Sequence, residues 1–152
     1  MTHPKDYTQW LQSFKTPEGL SVLSSVEDFA KAIAGFEKDL PAKALATAAV
    51  AVCVYPVPSL YGTLASLCWR ANRPEVWRQT LIQAFEVIPF TEQNYQGNLK
   101  LATMAFDHAE MGLAIQMFEK LARQHDQNSH AQMNLAFVLK ESHQFKQSEK
   151  IY

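Results

Sequence analysis

The sequence has no excess of either charge. Its 14 Lys and Arg stand against 15 Asp and Glu, interspersed over 152 residues for a formal charge of -1. That leaves no electrostatic footprint for DNA, RNA or an anionic membrane surface, so nucleic acid is excluded as an expected partner. Long apolar runs are missing too. The longest, "LATAAVAVCVY" at 45–55, falls well short of the about 20 residues that a bilayer span needs, so no membrane insertion is expected. The opening "MTHPKDYTQW" has no basic segment leading into an apolar run, as a signal peptide would. A cytoplasmic location is the expectation that follows.

Glycine is sparse, and its five copies are scattered at 19, 35, 62, 97 and 112. No glycine-rich loop exists to cradle a phosphate. The two cysteines, Cys53 in "AVCVYP" and Cys68 in "LASLCWR", read as buried small hydrophobes and not as a disulfide or a reactive thiol. The five histidines give no ligand pair at helical spacing with an acid. Asp107, His108 and Glu110 do cluster in "FDHAEMG", where helix-end capping and solvated charge account for them better than metal or acid–base chemistry. Serine and histidine stand in no arrangement that activates a nucleophile. No catalytic, cofactor or metal residue is assigned, and these 152 residues are not read as an enzyme.

What is present is helical periodicity. Hydrophobic residues make up 47% of the chain and recur at intervals of three and four almost throughout, without strict alternation, so the fold class is all-α. A first helix is expected over about 5–14, with Tyr7, Trp10, Leu11 and Phe14 on one face, broken by "KTPEG" at 15–19. Ser25 and Asp28 take capping-box spacing at the next start, and Phe29, Ile33, Phe36 and Leu40 mark its buried stripe. Pro41 opens an alanine-rich helix that ends before "YPVPS". Further helices are expected at about 59–71, from Pro74 to before Pro89, and at 95–107, 110–124, 129–142 and 145 onward. Short connections between them imply antiparallel neighbours.

Self-similarity sharpens this picture. A shift of 34 residues superposes Leu101 on Leu135, Ala102 on Ala136, Ala109 on His143, Ala114 on Ser148 and Phe118 on Tyr152. A helix-turn-helix unit of that period resembles the tetratricopeptide repeat. In that family the first helix carries a large residue and then a Leu followed by a small residue. The second helix carries a small residue with an aromatic four positions on, and a Pro often closes the unit. The best-matched unit covers about 95–128, through Leu101-Ala102, Ala105, Ala114 and Phe118. It departs from the pattern at Asp126, where the closing Pro would stand. The unit before it, about 58–91, matches through Tyr61, Leu64-Ala65, Cys68, Ala84 and Pro89, with Trp77 in a small-residue column and a three-residue insertion near "TEQ". A weaker unit covers 25–57 through Ala32, Ala44, Ala48, Ala51 and Pro56, with Lys31 where the Leu should be. Residues 1–24 are read as an N-terminal helical cap or extension. Residues 129–152 form a further unit whose second helix, "FKQSEKIY", is truncated at about two turns and is marginal alone.

The resemblance implies a right-handed superhelical solenoid of antiparallel helix pairs whose first helices line a concave face. That face is where repeats of this type bind protein or peptide segments, and counting from the Leu column gives Trp69, Leu99, Thr103, Phe106, Met133, Phe137 and Lys140 as its peptide-binding residues. Lys100 and Asn134 share a nearby column, but Gly62 and Ser66 stand where the first pair of a Lys/Asn carboxylate clamp belongs, so a clamp is disfavoured. The aromatic column has two readings, a groove for an apolar peptide or amphipathic helix, and ordinary packing between adjacent units or under the N-terminal helix. The function implied is a scaffold or adaptor, as the N-terminal part of a longer repeat protein, with self-association through the C-terminal half-unit as another way to complete it. The alternative is the acceptor-presenting arm of a SPINDLY-type, O-GlcNAc-transferase-like glycosyltransferase with its catalytic domain beyond residue 152.

Overall fold

The computed structural model describes the backbone of residues 4–151 and the side chains of residues 5–144. Among these residues it is all-helical, without strands: α1 (Pro4–Gln12), α2 (Val26–Glu37), α3 (Pro41–Val54), α4 (Pro58–Arg70), α5 (Pro74–Val87), α6 (Glu92–Asp107), α7 (Met111–Gln124) and α8 (Ser129–Ile151). The chain divides into two compact units, unit 1 over Met1–Ile88 and unit 2 over Pro89–Tyr152.

Local chemistry explains most helix starts. At α2 the Ser25 hydroxyl accepts from the Asp28 N–H at 3.1 Å while the Asp28 carboxylate accepts from the Ser25 N–H at 2.9 Å. This reciprocal cap satisfies two donors that a helix start leaves open, and it holds the Asp28 carboxyl below the usual carboxylate range. Helices α3, α4 and α5 each begin with a proline in the first turn, where its fixed φ fits and its missing N–H costs nothing.

In unit 1, α2 packs on α3, α3 on α4 and α4 on α5, while α1 lies across α3 and α5. Helix α3 therefore has three neighbours, which is why it is apolar around nearly its whole circumference: Ala44, Leu45 and every residue from Thr47 to Val52 are buried. Cys53, expected inside, is exposed. A helix apolar on all sides offers no stripe from which an outward position can be read, and Cys53 falls in its last turn. Cys68 is buried as expected, and burial pushes its thiol up to about 11. Tyr7 fixes α1 in place. It is 1% exposed, and its hydroxyl donates to Thr80 Oγ1 of α5 at 2.9 Å while Thr80 donates to the Val76 carbonyl at 2.8 Å.

In unit 2, α6 packs on α7 and α7 on α8. The α4–α5 and α6–α7 connections, 71–73 and 108–110, are the same turn built twice. In the first, Arg73 N–H reaches Cys68 O and Asn72 N–H reaches Trp69 O; in the second, Glu110 N–H reaches Ala105 O and Ala109 N–H reaches Phe106 O, all at 3.0 Å. This is the Schellman ending, and it puts Asn72 and Ala109 in the left-handed region at φ 59° and 60°. Asparagine tolerates that region, whereas alanine is strained there. The turn expected at 143–144 is not formed. Helix α8 continues without a break to Ile151, because "ESHQF" contains neither glycine nor proline to stop it. The expected packing of the side chains of Ser148, Ile151 and Tyr152 lies outside the described residues.

Candidate interaction face

Six of the seven expected contact residues lie on two helices of unit 2. Leu99, Thr103 and Phe106 stand at i, i+4 and i+7 along α6, and Met133, Phe137 and Lys140 take the same spacing along α8. Each trio shares one side of its helix. Phe106 and Phe137 join the two sides, with ring centroids 5.8 Å apart and planes tilted by 49°. At the other end of the pair the Tyr95 hydroxyl meets His130 Nδ1 at 3.1 Å, and Asn134 Nδ2 approaches the same nitrogen at 3.4 Å. Burial raises the Tyr95 pKa, so the phenol stays neutral.

Phe106 is half-buried and serves as packing between α6 and α8, but Phe137 is 55% exposed and Met133 68% exposed. Leu139 adds a further exposed apolar side chain, on another side of α8. Leu99 and Thr103 are half-buried, and the Thr103 hydroxyl is turned back onto the Leu99 carbonyl at 2.8 Å. Lys140 is exposed. The seventh residue, Trp69, belongs to α4 in unit 1, where its ring lies 4.9 Å from that of Trp77.

Sequence reasoning missed Tyr95 and the ring of His125 that lies 4.9 Å from it. Tyr95 precedes Leu99 by four residues, so extending the helical spacing of the face by one turn would have included it. His125 carried no such signal, because it caps the end of α7 and reaches Tyr95 only through the fold.

The face has contact surface and little chemistry. Among the described residues no three of His, Cys, Asp and Glu come together as a metal site would require. Among them, too, no helix is long and apolar enough to cross a membrane. No protein-family model matches the chain, and no curated protein is detectably similar to it.

Proposed function

We propose that the helix pairs are units of a tetratricopeptide-like repeat, and that the chain is an interaction module that takes an apolar or amphipathic peptide segment of a protein partner on the α6–α8 face. The repeat reading is supported by the twin Schellman turns at Asn72 and Ala109, 37 positions apart. That spacing also separates Leu64-Ala65 from Leu101-Ala102 and Cys68 from Ala105, all six of them buried. Small residues in those columns let helices approach closely, and the unit then buries its remaining apolar side against a neighbour.

The observation that carries the binding reading is the exposure of Phe137 and Met133 beside the half-buried Phe106. Large apolar side chains clustered on one face mark an interaction site more often than scattered ones do. An apolar surface between two helices suits the apolar face of a helical peptide, which presents its own anchors at i, i+3, i+4 and i+7. The step from repeat to scaffold is an argument from fold, so it needs a direct test. A displayed library of short random peptides, panned on the protein, should enrich amphipathic sequences whose binding is lost in Phe137→Glu with unchanged helicity by circular dichroism. Enriched peptides that bind Phe137→Glu as well as the parent would remove the α6–α8 face from the reading.

A further inference from the structure

A cleft of about 530 Å³ opens in unit 1, within the range of about 300–1,000 Å³ usual for small-molecule sites. It lies where the residues after α1, the α2–α3 turn and the α4–α5 turn meet, and its walls are apolar: Phe14, Pro41, Ala42, Leu45, Leu67 and Ala71. Leu45 and Leu67 are buried and form its inner surface. Charge enters only through Glu37, Arg70 and Arg73.

These three charges are not equivalent. Arg70 Nη2 stands 3.5 Å from Glu37 Oε2, so this pair is close to neutral. Arg73 instead lies over the ring of Trp10, 5.6 Å from its centroid. An aromatic face attracts a guanidinium without cancelling its charge, and it leaves the N–H edge free to donate to a carboxylate. The lining thus carries an excess of positive charge at its edge.

The lining contains no hydroxyl, amide or imidazole side chain. A peptide laid along it would leave backbone N–H and C=O groups without partners, which is costly away from water. A molecule that is polar at one end only escapes that cost. We propose that this cleft binds a medium-chain aliphatic carboxylate, with its tail against Leu45 and Leu67 and its carboxylate held by Arg73 with Arg70 beside it.

The test uses the full chain and three probes of equal tail length: decanoate, decanol and decyltrimethylammonium, all below the concentrations at which they form micelles. Binding is followed by calorimetry and by amide chemical shifts. Decanoate is expected to saturate, to shift amides in 41–45 and 67–73, and to bind about tenfold more tightly than decanol, as one charge-assisted hydrogen bond requires. Arg73→Met should bring decanoate down to the level of decanol and leave decanol unchanged, whereas Arg73→Lys should keep much of the preference. Ala42→Trp, at an exposed position on the cleft wall, should block both probes. Absence of saturable decanoate binding, shifts centred elsewhere, equal affinity for the ammonium probe, or full affinity in Arg73→Met would each overturn the proposal. Tighter binding of a short peptide ending in a free leucine carboxylate would overturn it in favour of a protein ligand.

Discussion

Units 1 and 2 contain the same helix-turn-helix element, closed by the same turn, yet they leave apolar side chains in water at different places: unit 1 in a loop and at helix ends, at Val22, Leu23, Leu40, Trp69 and Val87, and unit 2 along its last helix. In unit 1, α1 lies across α3 and α5, and the fully buried side chains include Tyr7, Phe29, Tyr61 and Trp77. Unit 2 has no such extra helix among its described residues. Its last helix leaves Met133, Phe137 and Leu139 exposed, and its interior contains Asn98, which is 0% exposed and makes no hydrogen bond among the described residues through either amide atom. The comparison teaches that what a helix encloses depends on how many others pack on it: α3, with three neighbours, is buried nearly throughout, whereas α8, resting mainly on α7, keeps one side in water.

The largest test of that contrast is Trp77→Ala. Removing a fully buried indole costs about 3–5 kcal/mol, and the loss should be confined to unit 1: amide exchange in α1–α5 accelerates while α6 and α7 keep their protection. Equal acceleration in both would mean that the units unfold as one and would break the comparison.

A second effect should appear at alkaline pH. Burial pushes the Tyr61 hydroxyl from 10.0 to about 12 and the Cys68 thiol from 9.0 to about 11, and it raises Tyr7 as well. A neutral acid whose pKa rises on folding gives its full stabilisation below the unfolded value and loses it as pH climbs through the folded one. Unit 1 should therefore weaken steadily between pH 9.0 and about 12, and unit 2, where Tyr95 is the one raised group among the described residues, should weaken less. Urea midpoints across that window, read with Tyr61→Phe as control, check this; a flat profile in the parent protein contradicts it.

Asn98→Leu should act in the opposite direction. It replaces a buried amide that has no partner among the described residues by an apolar side chain of the same branching, and should stabilise unit 2 by about 1–3 kcal/mol, seen as a higher urea midpoint. Destabilisation would show that the amide has a partner in solution. A smaller change is Ala109→Gly, which relieves the left-handed alanine and should add about 1 kcal/mol. Asn72→Gly at the matching turn should add less, because asparagine already tolerates that conformation.

Much of the architecture was legible locally. Ser25 with Asp28 announced a reciprocal cap, and Pro41 and Pro74 announced helix starts, because each acts on the backbone beside it. The errors came where one level of description was trusted over another. The break expected at 143–144 has no glycine or proline behind it, and a helix without a breaker of its own runs on. Cys53 was misplaced because α3 shows no polar side. On the candidate face the helical spacing of Leu99, Thr103 and Phe106 was readable, and so was that of Met133, Phe137 and Lys140. The meeting of Phe106 with Phe137, and of Tyr95 with His125 and His130, arises only once α7 has brought α6 and α8 within reach of each other's side chains.

The hydrogen bond from Tyr7 to Thr80 joins residues 73 positions apart. On a ribosome α1 emerges first, and the helix that holds it emerges last in its unit. At about 5–20 residues per second, roughly four to fifteen seconds pass before Tyr7 and Leu11 have all the surface that will bury them. Within unit 1, α1 is thus made first and fully enclosed last, with α3 as the neighbour available to it until α5 is made.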